Sequence, residues 1–317
     1  MSALISWLTQ LLEVLAAIAL APLFSGWIAQ CRAWLQNRRA PSIWLPYRGI
    51  RKLFHKDAAI AASASPLFRL TPYVVFGTMV VIAAIIPSLG TRLPFTTAAD
   101  AIALVGLLAT ARVFQSLAAM DVGTAFGTLG ARREMMIGFL AEPALLMVIF
   151  VASMITATTA LPAITERLAT QSVGLYPSLA FTAVAFTMVL LAENARIPID
   201  NPATHLELTM IHEAMLLEYS ARHLALMEWA AALKLLNYAG IGLALFVPWG
   251  VATGAGGPAE LLGSIPLLAG KLVLAGAGLA LIETVSAKLR VFRAPEFLAA
   301  AFLLAVLGLL VHILLGA

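Results

Sequence analysis

The sequence predicts an all-α integral membrane protein. It would have about eight transmembrane helices, both termini outside, and an amphipathic cytoplasmic interfacial helix after the first span. Three observations lead there. Of 317 residues, 62% are hydrophobic and 11% charged, whereas a soluble domain carries about 25% charged residues; too little polar surface remains to keep a water-soluble particle dispersed. The apolar residues fall in long continuous runs, without the alternation of a lipid-facing β-strand. Lysine and arginine gather in alternate intervals between the runs, as topology signals do.

A spanning helix needs about 20 mostly apolar residues. Eight segments qualify, at roughly 4–30, 67–89, 100–120, 135–159, 174–194, 223–249, 261–286 and 297–315. The first run should be a retained helix rather than a cleaved signal, because the first basic residue is Arg32 and a signal peptide wants a basic start. No interval is long enough for a soluble domain, so 1–317 reads as one polytopic domain.

Orientation follows from the basic residues. The first interval holds Arg32, Arg38, Arg39, Arg48, Arg51, Lys52 and Lys56. The third holds Arg132 and Arg133, the fifth Arg196, and the seventh Lys288, Arg290 and Arg293. The even intervals have little beyond Arg92 and Arg167. The odd intervals therefore face the cytoplasm. Within the first, Trp44, Tyr47, Ile50 and Phe54 recur at three- and four-residue spacing, with the basic residues mostly elsewhere. That pattern suits a helix lying at the interface, as a lipid anchor or as a docking element for a cytoplasmic partner. Pro and Gly in "PSLGTRLP" and "GAGGP" mark outer turns, and "GTAFGTLG" reads as a tight cytoplasmic loop.

Several function classes drop out. The net charge of +4 is spread over short clusters, not a basic domain, so nucleic acid is not indicated. Cys31, the one cysteine, supplies neither a disulfide nor an iron–sulfur site, which takes about four ligands. "HEAML" begins like a zincin motif, but Leu216 stands where the second histidine belongs. No nucleophile elbow supports a serine hydrolase. No internal repeat supports a standalone secondary transporter.

Ionisable residues within membrane spans are costly and point to function. Here they are Glu13, Arg112, Glu142, Glu193, Glu228, Lys234, Lys271 and Glu283. Glu13 also reads as a residue near the outer interface, Arg112 as a snorkelling or structural residue, and Lys271 as a fixed counter-ion. As a group they suit a proton or ion path, which needs groups whose charge can change.

"AENARIPIDNPATHLELTMIHEAMLLEYS", from Ala192 to Ser220, concentrates Glu193, Asp200, Glu207, Glu213 and Glu218. Pro198 and Pro202 predict a loop over 196–203. Beyond it a helix is expected from Ala203 to about Ser220. Glu207 and Glu218 would then share one face, His205 and His212 another, and Glu218 would pair with Arg222 at i, i+4.

"RRAPSIWLPYRGIRKLFHKD", "DVGTAFGTLGARREMMIGFLAEP" and "AENARIPIDNPATHLEL" with its later "LEYS" resemble the membrane subunit 1 (H-type) family of respiratory complex I. The resemblance runs over essentially the whole chain. The third segment is similar to the family's Ala-Glu-x-x-Arg-x-Pro-x-Asp signature and its Glu-Tyr-Ser. Ala203 and His205 stand at two positions that are acidic in the quinone-reducing enzymes. That difference makes the chain more similar to the corresponding subunit of group 4 nickel–iron hydrogenases, the formate hydrogenlyase and hydrogenase-4 branch.

The resemblance implies a non-catalytic membrane subunit with no redox centre of its own, coupling electron transfer to proton or Na⁺ movement. It implies a carboxylate path through Glu142, Glu193, Asp200, Glu207 and Glu218, to which the in-membrane positions add Glu228 and Lys234. His205 and His212 are possible relays. Arg38, Arg39, Arg48, Arg51, Lys52, Arg132, Arg133 and Arg196 would dock the redox module. The nickel–iron and iron–sulfur centres would belong to partners: hydrogenase large and small subunits with iron–sulfur proteins on the cytoplasmic side. Antiporter-like membrane subunits would lie alongside in a bacterial or archaeal inner membrane. The alternative is a quinone-site subunit of NADH:quinone oxidoreductase.

Overall fold

The structure is a computed structural model that describes residues 3–91, 94–95, 99–170, 177–200, 210–252, 258–290 and 293–315. Among these the chain is helical, with only two isolated β-bridges, Gly90 with Ala252 and Asp100 with Ala160. The helices are α1 (Ala3–Leu35), α2 (Leu45–Phe54), α3 (Pro66–Ile85), α4 (Ala101–Asp121), α5 (Ala125–Thr156), α6 (Leu161–Thr170), α7 (Pro177–Glu193), α8 (His212–Leu216), α9 (Ala221–Phe246), α10 (Pro258–Val285) and α11 (Ala294–Leu315). Seven of them are long and apolar enough to cross a membrane, and α7 is a shorter apolar helix. This is an all-α, multi-pass membrane protein.

The starts follow local chemistry. Ser65 accepts the backbone N–H of Leu67 ahead of Pro66, and Asp100 accepts that of Ile102, each satisfying an orphan donor of a first helical turn. The helices α1 and α5 have 33 and 32 residues. At 1.5 Å per residue they reach roughly 50 Å, against about 30 Å of hydrocarbon, so each extends beyond the apolar layer.

Packing forms one bundle. The helix α11 lies against α5 and α7, α4 bridges α3 and α5, and α9 packs on α1, α2 and α3. The helix α10 rests mainly on α1 and stays largely exposed, as a lipid-facing helix does. The connections separate into two ends. At one, Ser65 N–H donates to Asp121 (2.8 Å), Ala59 N–H to Ser220 Oγ (3.0 Å), and the Tyr219 hydroxyl to Phe68 O (3.2 Å). At the other, Thr91 N–H donates to Ala252 O (3.1 Å) and Leu161 N–H to Ala99 O (2.9 Å). The basic intervals all lie at the first end.

The interfacial helix forms as α2, with Trp44 at its N-cap position and its ring tilted against that of Tyr47 at 5.7 Å. Two expectations need correction. The glycine-rich stretch after Gly123 is not a loop: α5 begins at Ala125. A side chain at Gly130 would lie 2.9 Å from Ala214 Cβ and from Ile211 O, so this glycine lets α5 touch the signature segment. The helix expected up to Ser220 is also interrupted. Between residues 210 and 220 only His212–Leu216 is helical. Tyr219 stacks on Phe68 at 4.0 Å, Ser220 is bonded to Ala59, and Ala221 takes φ +47°. These contacts break the register, so Glu218 and Arg222 form no ion pair.

Candidate functional site

Four helices converge on one guanidinium. The helix α4 supplies Arg112. The helix α5 supplies Glu134, Gly138 and Glu142, four residues apart and so on one face. Gly138 leaves room for the arginine: a Cβ there would lie 2.8 Å from Arg112 Cδ and 2.9 Å from its Cζ. Arg112 Nη1 donates to Glu142, Nη2 donates to Glu193 at the end of α7, and Nε lies 3.7 Å from Glu134. Lys234 of α9 adds a second cation, with Nζ 3.1 Å from Glu193 Oε2 and donating to Glu193 O at 2.6 Å. Arg112, Glu134 and Glu193 are each buried. Buried charges persist only when paired and hydrogen-bonded, and here three carboxylates face two cations.

Glu193 and Lys234 of the cluster form part of the wall of a cavity of about 700 Å³ at the basic end. The rest of the wall comes from α1, α2, the signature loop, α8 and α9, with Arg32, Arg196, Asp200, His212, Glu228 and Lys234 among its polar residues. Asp200 accepts from the N–H groups of Ile211 (3.2 Å) and His212 (3.4 Å) and sits 3.8 Å from Lys288. Arg196 (3.0 Å) and Arg32 (3.4 Å) share Glu283 of α10. The signature loop is thus tied to α8, to α10 and to the segment that follows α10. His212 contacts Gln115 at 3.4 Å. Burial, and then the Lys234 charge, pull the His212 imidazole down to about 4 against the opposing pull of Asp200 and Glu193.

Of the residues expected on a path, Glu142, Glu193 and Lys234 meet at Arg112. Asp200, His212 and Glu228 line the cavity. Glu218 lies in the turn after α8 and does not line the cavity. Glu207 and His205 lie outside the described residues. Of the residues expected to dock a redox module, Arg38, Arg39, Arg48, Arg51, Lys52 and Arg132 are exposed at the basic end. Arg133 donates to Met210 O at 2.9 Å and Arg196 holds Glu283, so these two are engaged within the chain.

The central role of Arg112 and the membership of Glu134 were missed. The Glu-x₃-Gly-x₃-Glu spacing in α5 was the available signal; starting that span at 135 left Glu134 outside it. Glu13 is buried at the end opposite the basic intervals, where it accepts the Ser88 (3.0 Å) and Leu89 (2.9 Å) N–H groups. Lys271 caps the C-terminus of α9 by donating to Val247 O (2.6 Å) and to Trp249 O.

The family model described as NADH dehydrogenase matches residues 9–314. The chain belongs to this family. Within it, the chain is 35% identical to formate hydrogenlyase subunit 4 of Escherichia coli (strain K12) over 303 residues, 94% of this chain and 95% of that protein. It is 37% identical to hydrogenase-4 component C of the same organism over 243 residues, 76% of each. The fold matches a chain of the membrane-bound sulfane sulfur reductase, an archaeal respiratory membrane complex, with a TM-score of 0.82 and 18% identity. That match covers 97% of this chain and 98% of the other. The complex I subunit 1 resemblance and its hydrogenase branch are therefore both supported.

Proposed function

We propose that this NADH dehydrogenase family member is a non-catalytic membrane subunit of a group 4 hydrogenase or formate hydrogenlyase-type complex in a bacterial or archaeal cytoplasmic membrane. Its exposed arginines and lysines, Arg38, Arg39, Arg48, Arg51, Lys52 and Arg132, hold a redox module of hydrogenase large and small subunits and iron–sulfur proteins. Nickel–iron and iron–sulfur centres reside in those partners. Antiporter-like subunits continue the membrane arm. The observation that carries the reading is the buried Arg112 cluster, which reaches the wall of a cavity at the basic end through Glu193 and Lys234.

A charge change in the redox module alters the field at the cavity. Glu193, Glu142 and Glu134 share two cations, so protonating one frees a cation to bind the others more tightly. A proton or Na⁺ entering the cluster is handed on in this way. In the assembled complex, Glu193→Gln is expected to abolish ion translocation while electron transfer continues. Translocation at the wild-type rate refutes the path.

The cavity volume favours one second reading, a quinone-site subunit of NADH:quinone oxidoreductase, because about 700 Å³ falls within the range of small-molecule sites. Quinone-competitive photolabelling of the chain supports that reading. Hydrogen evolution without any quinone requirement supports the first.

A further inference from the structure

A second cavity, of about 170 Å³, lies towards the end of the bundle opposite the basic intervals, between α1, α3, α9 and α10. On α1 it runs from Leu12 to Leu20, about 12 Å of helix. Ile265, Ala269 and Leu272 line it from α10. Leu12, Leu20 and Ile265 are also exposed, so the cavity reaches the surface of the bundle between these two helices.

Its polar lining is Glu13, Ser88 and Asn237. Glu13 Oε1 takes both the Ser88 and the Leu89 N–H groups, and Oε2 is buried without a hydrogen-bond partner among the described residues. Gln10, one turn earlier, differs: its nitrogen donates to Ala84 O (3.0 Å) and its oxygen accepts the Phe95 N–H (3.3 Å). A buried carboxylate persists when a donor or a cation reaches it, and Glu13 is one such partner short. Asn237 spends its amide nitrogen on Met79 O (2.9 Å), which leaves its oxygen as an acceptor. The Ser88 hydroxyl donates to Ile86 O at 3.4 Å and keeps its lone pairs. What the wall offers is therefore acceptors, one of them a carboxylate, and among the described residues no basic side chain lines it. The group that fits is a positively charged donor. The remaining wall is apolar, and the volume is below the roughly 300–1,000 Å³ of drug-sized sites, so it takes an alkyl chain rather than a ring system.

We propose that this cavity binds an amphiphile by an ammonium group and one alkyl chain. The ammonium has three donors, and Glu13, Asn237 and Ser88 supply an acceptor for each. The chain lies along α1 towards Leu20 and Leu272. An aminophospholipid of the bilayer and a free long-chain amine both carry this chemistry. Occupancy ties α10, which rests mainly on α1, to α3 and α9 through a shared apolar guest. The inference is independent of the ion-translocating reading above.

The test uses the full chain purified in a neutral detergent, with two photoreactive probes of equal chain length: dodecylamine and dodecanol, each carrying a diazirine on the chain. The amine is expected to label α1 and α10 saturably, with unlabelled dodecylamine competing. One charge-assisted hydrogen bond sets the expected preference for the amine over the alcohol at about tenfold or more in half-saturating concentration. Glu13→Gln keeps the acceptor for Ser88 and Leu89 but removes the charge. It is expected to weaken the amine by about tenfold or more and to leave the alcohol unchanged. Ala269→Leu, at an exposed position of α10, narrows the cavity and is expected to reduce labelling by both probes. Equal labelling by amine and alcohol, or amine labelling that survives either substitution, overturns the proposal. A purely structural role for Glu13 would weaken both probes alike in Glu13→Gln, and that also overturns it. Should Glu13→Gln fail to fold, the preference for the amine and the effect of Ala269→Leu decide. Mass spectrometry of the chain extracted from its membrane separates the sources. Phosphatidylethanolamine retained by the parent and lost from Glu13→Gln supports the site with a lipid headgroup in it. The labelling pattern without a retained aminophospholipid supports it with a free amine.

Discussion

An alanine at position 138 would test the convergence of the four helices. Its methyl group would lie 2.8 Å from Arg112 Cδ and 2.9 Å from Cζ. Carbon atoms rest at about 3.5–4.0 Å, so one partner must move by about 1 Å. The far end of an arginine normally yields at little cost. Here Glu142, Glu193 and Glu134 pin the guanidinium, so movement weakens charge-assisted hydrogen bonds worth about 1.5–3 kcal/mol each. Overpacking adds about 1–3 kcal/mol, while replacing a helical glycine returns about 0.5–1 kcal/mol. The net expectation is a destabilisation of about 1–3 kcal/mol. Gly106 in α4 provides the comparison, because a Cβ there meets nothing within 4 Å; Gly106→Ala keeps only the propensity gain. Thermal unfolding of the detergent-purified protein is expected to shift down for Gly138→Ala and slightly up for Gly106→Ala. Shifts of the same sign and size would refute the close approach of α5 to Arg112.

Other outcomes follow from the same geometry. Arg112→Met strands Glu134 and Glu142 without their cation, and breaking a buried pair from one side costs about 3–5 kcal/mol; the assembled yield and melting temperature of the subunit are expected to collapse. Lys271→Met leaves the Val247 and Trp249 carbonyls without their shared donor. It is expected to lower thermal stability by about 1–3 kcal/mol while translocation per electron stays unchanged, which checks that Lys271 is a helix cap. His212 is held neutral, near 4 rather than 6.5. Between those values the unfolded chain binds more protons than the folded one, so stability is complete above about pH 6.5 and declines as pH falls through the window. Melting curves from pH 7 to pH 4 are expected to slope less steeply for His212→Gln than for the parent.

The fold class and the two-ended layout were legible because they rest on composition and on the order of apolar runs. Each span buries its own backbone hydrogen bonds, so a run of some 20 apolar residues is a helix in lipid whatever its neighbours. The interfacial helix α2 was legible from the spacing of Trp44, Tyr47, Ile50 and Phe54 for the same local reason. Glu142, Glu193 and Lys234 stood out because charge within a span is conspicuous. The signature segment was misjudged between His212 and Ser220, where local periodicity suggested one continuous helix. Its path is set by remote partners, the Phe68 ring for Tyr219 and the Ala59 backbone for Ser220, and no local pattern encodes them.

By itself the sequence determined that this chain crosses a membrane several times as helices, with its basic residues gathered at one end and carboxylates where lipid would not tolerate them alone. Only the tertiary structure decided which charges meet. Arg112, Glu134, Glu142, Glu193 and Lys234 come from four helices, with chain separations of up to about 120 residues, and helix packing alone brings them within bonding distance. Burial energies depend on those distances and on the removal of water, and both are properties of the packed bundle.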